Sequence, residues 1–296
     1  MPPTIRTAGL TKRYGKKSAL VDLNLEVPAG VVFGYLGPNG AGKTTTIRIL
    51  AGLLRPTRGT AAICGADTAR NRAAAQRRIG YLPGEFVAYP DLTGEQYLSY
   101  LANLRGGVDL KVRVRLAERL GLDTSTRIGA MSHGNRQKVG IVQAFMAEPE
   151  LLVLDEPTAG LDPLVQHEFH TLLREVRDEG RTVFLSSHML SEVQEVADTV
   201  GILRQGRLVE VRSIAELTAR PLRRLDLIFA GTPPDLDVLR HIDGVRAVHA
   251  NTKAVHVELE GSTARLLQAV APYEVTDIIS REPDLEEVFL AYYGQD

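Results

Sequence analysis

A glycine-rich run near the start of the chain has the residue types and spacing of a phosphate-binding loop. It reads Gly37, Pro38, Asn39, Gly40, Ala41, Gly42, Lys43 and Thr44, followed by Thr45. Glycines let backbone N–H groups turn toward an anion, and a helix that begins there adds a partial positive charge. We assign the whole run to nucleotide binding, with Lys43 on the terminal phosphates and Thr44 on Mg²⁺. A chance match of the four fixed positions is about a one-in-a-hundred event on ordinary composition.

Two acidic residues at the end of a later apolar run have the chemistry of a metal ligand and a general base. Residues 151–155 read LLVLD, and Glu156 and Pro157 follow. If the strand continues through Glu156, adjacent side chains point to opposite sides, and the two carboxylates can serve different purposes. Asp155 then suits hydrated Mg²⁺, and Glu156 suits a water-activating base, which contributes about 10² to 10⁴ in rate. Taken alone, the pair is equally typical of a solvated strand end, and the upstream phosphate loop favours the catalytic interpretation.

These residues need a strand before the loop and parallel strands beside it, and the apolar patterning predicts both. Residues 19–27 and 31–36 are expected to form strands joined by a Pro-Gly turn, and the helix after the loop is expected to end near Gly52. Residues 151–155 and 182–187 are short apolar runs with β-branched residues. We expect them to be parallel strands that are buried on both faces of an α/β core.

Helices connect these strands. Asp162 is expected to be the N-cap of a helix with Pro163 in its first turn, ending before Gly180. Residues from about 84 to 148 are interpreted as a helical subdomain. Within it, Thr93 and Gln96 form a capping box for a helix whose packing face includes Tyr97, Leu98, Leu101 and Leu104.

The pattern changes after about residue 215, where short strands and helices alternate in the order βαββαβ. We therefore predict two domains, a nucleotide-binding domain over 1–215 and a small α+β domain over 216–296. The order of elements in the second domain predicts a ferredoxin-like fold.

Composition limits the possible classes of protein. Lys and Arg total 35 against 36 Asp and Glu, so no basic excess suggests a nucleic-acid partner. The single Cys64 cannot form an internal disulfide, and the N-terminus lacks a secretory signal, which favours a reducing cytoplasm. No run approaches the roughly 18 apolar residues of a membrane span, so a membrane role requires a partner.

Residues 131–163 read MSHGNRQKVGIVQAFMAEPELLVLDEPTAGLDP and resemble the signature motif and Walker B strand of the ABC ATPase family. The motif keeps Ser132 and Gly134 of the family pattern, but has His133 and Asn135 where the family has glycine and glutamine. Ser132 is also a natural N-cap for the helix that follows. The resemblance implies a P-loop NTPase core of ABC type with an antiparallel β edge. It also implies that Ser132, Gly134 and Asn135 face ATP held by the Lys43 loop of a second subunit, so that hydrolysis requires a dimer.

Further residues match the family one by one. Tyr14 resembles the aromatic residue that stacks on adenine, although half-buried packing is the ordinary role of such a tyrosine. His188 resembles the switch histidine on the γ-phosphate and joins Lys43 and Glu156 as the third predicted catalytic residue. Asp162 resembles the residue that links the two sites across the dimer, a role compatible with helix capping.

One family residue is missing. Where the family places a glutamine that touches Mg²⁺, this chain has Gly84 and Glu85. Glu85 either substitutes for the missing glutamine or is a solvated loop charge, and the sequence leaves both interpretations open.

The C-terminal run 284–294, DLEEVFLAYYG, resembles the end of cassettes that serve ABC-2 type exporters, including drug-resistance ATPases. The resemblance implies ATP and Mg²⁺ as ligands, a homodimer or a paralogous second cassette, and a separate permease that exports a drug, lipid or other hydrophobic compound. It also implies a position on the inner face of the cell membrane. A soluble ABC ATPase acting on nucleic acid or the ribosome is the alternative, although such relatives carry coiled coils or two cassettes. A small-molecule kinase would leave the signature motif unexplained.

Overall fold

A computed structural model describes residues 2–219, 222–251 and 254–281. They divide into two units, the first ending at Arg212 and the second beginning at Ser213. Within these ranges, no helix combines the length and the apolar character that a membrane crossing requires.

Strands and helices alternate along much of the first unit. The strands are β1 (Ile5–Tyr14), β2 (Lys17–Val27), β3 (Val32–Leu36), β4 (Arg58–Ile63), β5 (Ala66–Asp67), β6 (Ile79–Leu82), β7 (Leu151–Asp155), β8 (Thr182–Ser187), β9 (Thr199–Arg204) and β10 (Arg207–Ser213). The helices are α1 (Lys43–Leu50), α2 (Arg72–Arg77), α3 (Gly94–Leu104), α4 (Leu110–Arg119), α5 (His133–Phe145), α6 (Pro163–Asp178) and α7 (Leu190–Gln194).

A six-stranded sheet in the order β10-β9-β3-β8-β7-β6 positions the predicted site. Strand β3 pairs in parallel with β8 and β9, and β7 pairs in parallel with β6 and β8. Every residue of β3, β7 and β8 is buried, which confirms the prediction of parallel strands covered on both faces. Leu36 lies beside Ser187, and Asp155 lies beside Ser186. The segments that follow these three strands therefore leave the sheet at the same edge.

The antiparallel β edge that the resemblance implies is a second sheet of four strands, in the order β2-β1-β4-β5. One apolar core contains residues of this sheet, of α1 and of β3, β7 and β8. Ile47 and Leu50 of α1 are fully buried in it. The hydroxyl groups of Tyr35 and Thr46 lie 3.1 Å apart and link β3 to the same helix. The helix that begins at Lys43 is therefore held between the two sheets.

The helix caps predicted from the sequence are present. Thr93 Oγ1 accepts from the backbone N–H of Gln96 at 3.2 Å, and Gln96 Oε1 accepts from the N–H of Thr93 at 2.9 Å. Ser132 is the N-cap of α5, and Asp162 is the N-cap of α6 with Pro163 in the first turn. These caps are local interactions between residues three apart, so the sequence alone specifies them.

The packing face predicted for α3 is wrong at its C-terminal end. Leu98 is buried, but Leu104 is 66% exposed. Arg105, the exposed residue that follows the helix, donates from its guanidinium group to the carbonyl oxygen of Ile79 at 2.8 Å. The buried residues Leu98 and Ala102, one helical turn apart, mark the packing face at this end of α3, and at 3.6 residues per turn Leu104 lies off that face.

The second unit has its own core and sheet. Its elements are α8 (Ile214–Ala219), β11 (Leu222–Phe229), α9 (Leu236–Arg240), β12 (Val245–Ala250), β13 (Ala254–Glu260), α10 (Ala264–Val270) and β14 (Val275–Arg281). The sheet is antiparallel in the order β12-β13-β11-β14. The ferredoxin-like assignment of this domain stays a prediction. The run 284–294, which carries the resemblance to exporter cassettes, lies outside the described residues.

Candidate nucleotide-binding and catalytic site

The glycine-rich loop joins β3 to α1, as the phosphate-binding prediction requires. Gly42, the N-cap of α1, has φ +114°, and a Cβ there would lie 2.6 Å from the carbonyl oxygen of Ala19. A Cβ on Gly37 would lie 2.4 Å from the carbonyl oxygen of Leu203. Only glycine fits these two positions. Gly42 has no side chain to cap α1, and a helix start whose N–H groups lack side-chain acceptors is suited to bind an anion.

A cavity of about 320 Å³ opens above the loop. Its lining includes Tyr14, Lys17, Ala19, Pro38, Asn39, Gly40, Gly42, Lys43, Thr44, Thr45 and Glu156. The structure therefore brings Tyr14, the loop and Glu156 together around one space. Gly37 and Ala41 of the predicted set do not line it. The ammonium group of Lys12 lies 5.2 Å from the centre of the half-exposed Tyr14 ring.

The three residues predicted to be catalytic meet beside this cavity. Lys43 Nζ donates to the carbonyl oxygen of Gly37 at 2.5 Å and lies 3.3 Å from Glu156 Oε1. His188 Nδ1 lies 2.9 Å from the other oxygen, Glu156 Oε2. The Lys43 side chain is 6% exposed and that of Glu156 is 24% exposed. A buried ammonium group requires acceptors or an anion nearby, and Gly37 and Glu156 supply them.

Glu156 does not continue the strand, which corrects the geometry assumed from the sequence. Strand β7 ends at Asp155, and Glu156 has φ +48° in the left-handed region. Its N–H donates to Ser186 Oγ at 3.1 Å, and Ser186 Oγ donates to Asp155 Oδ1 at 2.6 Å. A non-glycine residue in this region costs about 1 to 3 kcal/mol and persists only where its surroundings hold it. The two carboxylates are therefore separated by a strained turn rather than by strand alternation.

Asp155, the predicted metal ligand, is 1% exposed and lies against the segment that follows β6. A Cβ on Gly84 would lie 3.3 Å from Asp155 Oδ2, so the backbone of Gly84 is close to this carboxylate. Glu85 is exposed and does not line the cavity. Burial and the Asp155 carboxylate raise the pKa of Tyr81, so its phenol stays neutral near pH 7 and is not the base. The role of Glu85 as a substitute for the missing glutamine stays a prediction.

The signature residues do not reach the cavity of their own chain. Ser132, Gly134, Asn135 and Asp162 are all absent from its lining within the described residues. Ser132 Oγ accepts from the N–H of Asn135 at 3.2 Å, and Asp162 Oδ1 accepts from the N–H of Val165 at 3.0 Å. Both capping side chains belong to exposed residues. Ser132 and Asp162 are therefore presented to solvent outside this cavity.

Sequence reasoning missed three residues that support the site. Ser186 forms hydrogen bonds with Asp155 and with the backbone of Glu156. Glu192 accepts hydrogen bonds from Thr158, after β7, and from Ser187, at the end of β8. Gln137 donates a hydrogen bond to the backbone carbonyl of Pro157. Ser186 could have been found from the sequence, because it is a polar residue at the carboxyl end of an apolar parallel strand. Gln137 could also have been found, because it stands on an otherwise apolar stripe of α5.

Comparisons with known proteins show the family of the chain. The profile of the family described as ABC transporter matches residues 20–159. The bacitracin transport ATP-binding protein BcrA of Bacillus licheniformis is 34% identical, over 99% of this chain and 98% of that protein. The daunorubicin resistance ATP-binding protein DrrA3 of Streptomyces coeruleorubidus is 35% identical, over 99% and 96%.

A solved structure shares the fold of the first unit. The dimeric bacterial ABC transporter cassette MJ0796 superposes with a TM-score of 0.66 and 24% identity, over 71% of this chain and 98% of that one. The phosphate loop, the acidic strand end and two relatives matched over nearly their full length point to the same conclusion. The chain belongs to the ABC transporter family of ATP-binding, ATP-hydrolysing proteins.

Proposed function

We propose that the chain powers a separate ABC-2 type membrane permease that exports a drug or another hydrophobic compound. The observation that carries this proposal is the 34% identity to a bacitracin transport protein, which extends over 99% of the chain and so includes the second unit. A second relative matched over the same extent is named for daunorubicin resistance. Binding to the permease would place the chain on the inner face of the cell membrane.

The site supports an assignment of roles for ATP hydrolysis. The loop N–H groups and Lys43 would hold the phosphates, and Tyr14 would stack on the adenine. Glu156 would take the proton of the attacking water, with His188 beside it. The Thr44 hydroxyl and the Asp155 carboxylate are hard oxygen ligands of the kind that Mg²⁺ prefers, and Mg²⁺ would neutralise phosphate charge there.

A second cassette would complete each site. Ser132 is exposed, and Ser132, Gly134 and Asn135 do not line the cavity of their own chain, so a nucleotide on another chain would be their partner. The helix start at Ser132 would then face a phosphate. The dimeric cassette of the same fold supports this arrangement.

An apolar patch on the first unit is a candidate contact for the permease. Val87, Tyr89, Tyr100 and Leu104 are each at least 47% exposed. The rings of Tyr89 and Tyr100 lie 6.3 Å apart, edge to face. Exposed apolar patches of this kind mark interaction sites, and this one follows the Gly84 segment that lies against Asp155. A permease bound there would contact Val87 and Tyr89, three and five positions after Gly84, whose backbone lies near the Asp155 carboxylate.

The proposal is tested by co-expressing the chain with the membrane protein encoded beside its gene. Reconstituted in vesicles, the pair should hydrolyse ATP faster than the chain alone and accumulate bacitracin or daunorubicin. Tyr89→Asp should lower the stimulated rate, whereas Val238→Asp, an exposed apolar residue outside the patch, should not. Stimulation by DNA or ribosomes instead of by the permease would reject the proposal and favour the soluble alternative.

A further inference from the structure

Gln137 is a polar side chain on the buried face of α5, and its contacts lead to the turn that carries Glu156. It is 1% exposed, and Ile141 and Phe145, one and two turns along the helix, are also buried. Gln137 Nε2 donates to the carbonyl oxygen of Pro157 at 3.0 Å and lies 3.5 Å from the carbonyl oxygen of Glu156. Because carbonyl oxygens only accept, the amide nitrogen must face them, and the orientation of the side chain is determined.

The amide oxygen of Gln137 has no hydrogen-bond partner in the described part of the chain. A buried polar atom without a partner destabilises the folded state. An aliphatic side chain would avoid this penalty, as Ile141 does one turn away. The presence of glutamine here therefore indicates that the Nε2 donor is needed, and that packing alone does not explain the residue.

The turn at Glu156 requires support from outside its own strand. Glu156 has φ +48°, a conformation that side-chain-bearing residues adopt rarely. Its N–H is bonded to Ser186 Oγ of β8. The carbonyl groups that follow are bonded to Gln137 of α5. Side chains from two different elements thus hold the backbone on both sides of Glu156.

We infer that Gln137 is a positioning residue that sets the direction of the Glu156 carboxylate for ATP hydrolysis. This inference rests on the proposed role of Glu156 as the general base. Gln137 does not line the nucleotide cavity and acts through the backbone of Glu156 and Pro157. Helix α5 begins directly after Ser132. The Gln137 side chain therefore also links the helix that carries the signature residues to the turn at Glu156.

Gln137→Met tests the inference, because it removes the donor and keeps the length of the side chain. We expect kcat of the full chain to fall about 10- to 100-fold, since a small misplacement of a catalytic group costs up to that much. KM for ATP should change by less than about threefold, because the Lys43 loop is untouched. Gln143→Met is the matched control. Gln143 lies on the same helix and accepts a hydrogen bond from the Tyr97 hydroxyl at 2.7 Å. The variant should keep the wild-type kcat.

Gln137→Glu adds a measurement that a packing role would not affect, and it carries the test if Gln137→Met does not fold. The new carboxyl group can donate to the carbonyl oxygens only when it is protonated. Burial among acceptors raises the pKa of such a group. The ratio of its kcat to that of the wild type should therefore rise as the pH falls.

Three results would overturn the inference: a wild-type kcat in Gln137→Met, a fall in kcat matched by an equal loss of ATP binding, or a pH-independent ratio for Gln137→Glu. Full activity in Glu156→Gln would instead reject the general-base role. The two failures are therefore distinguishable in one set of assays.

Discussion

At the scale of single residues, the Glu156 carboxylate has two neighbours of different chemistry. Lys43 Nζ lies near one oxygen and His188 Nδ1 near the other. The lysine is almost fully buried, so this ion pair is less screened by solvent than a pair on the surface. Because phosphate oxygens can take the place of this carboxylate beside Lys43, removal of the negative charge from residue 156 should affect proton transfer more than it affects nucleotide binding.

Glu156→Gln is expected to bind Mg-ATP but to hydrolyse it about 10² to 10⁴ times more slowly, because an amide cannot accept the proton of water. Size-exclusion chromatography with ATP should show a stable dimer, since the bound nucleotide persists. Lys43→Ala should remain monomeric under the same conditions, because it loses the cation proposed to hold the phosphates. An active Glu156→Gln protein would contradict the assigned role.

At the scale of elements, the connections after β7 and β8 are joined by one side chain of the short helix α7. Glu192 Oε1 accepts from Thr158 Oγ1 at 3.0 Å, and Glu192 Oε2 accepts from Ser187 Oγ at 2.8 Å. Ser187 Oγ in turn accepts from the N–H of Met189 at 3.0 Å. Ser187 and Met189, on either side of His188, are therefore hydrogen-bonded to each other. Glu192 in turn connects Ser187 to Thr158, in the segment after Glu156.

Glu192→Ala is expected to lower kcat about tenfold, because His188 and Glu156 lose their common support. It should also lower the free energy of unfolding by about 1 to 3 kcal/mol, since two hydroxyl groups lose a partner. Steady-state kinetics and urea denaturation measure the two effects.

Glu195→Ala is the control for Glu192→Ala. It is close in the chain and removes a contact of 2.7 Å to His170 Nδ1, away from the cavity. We expect a loss of stability without a loss of kcat. Equal effects of both substitutions on kcat would show that Glu192 acts only through stability.

At the scale of the whole molecule, the proposed dimer requires each chain to supply two separate halves of a site. The cavity side carries Lys43 and Glu156, whereas Ser132 and Asp162 are exposed elsewhere on the first unit. A Cβ on Gly134 would lie 2.6 Å from the carbonyl oxygen of Gly160, so the start of α5 packs against the segment that leads to Asp162. The signature and the segment before α6 are thus adjacent, and in the proposed dimer both would face the partner.

Mixing two inactive chains tests this arrangement. Lys43→Ala and Ser132→Arg should each abolish ATPase activity alone, because every site in either homodimer lacks one half. A mixed dimer contains one site with both halves intact, and mixing should restore part of the activity. Absence of recovery in mixed dimers, isolated with two affinity tags, would count against sites shared between chains.

The sequence by itself determined the features that depend on neighbouring residues. The phosphate loop and the caps at Thr93, Ser132 and Asp162 are set within a few positions, because the hydrogen bonds that define them span at most one helical turn. The buried strands β7 and β8 were also predictable, because short continuous apolar runs are typical of parallel strands. The phosphate loop and the acidic strand end predicted the roles of Lys43 and Glu156, and the resemblance of residues 131–163 to the signature motif predicted the family.

Only the tertiary structure decided what depends on residues far apart in the chain. The left-handed turn at Glu156 is held by Ser186 and Gln137, and Glu192 acts on Thr158. These partners are 19 to 34 positions apart, so no local pattern specifies the pairing. The hydrogen bond from Arg105 to the carbonyl oxygen of Ile79 on β6 likewise joins residues 26 positions apart. Such contacts form when separate elements pack together, and for that reason the supporting residues of the site became visible only in the folded chain.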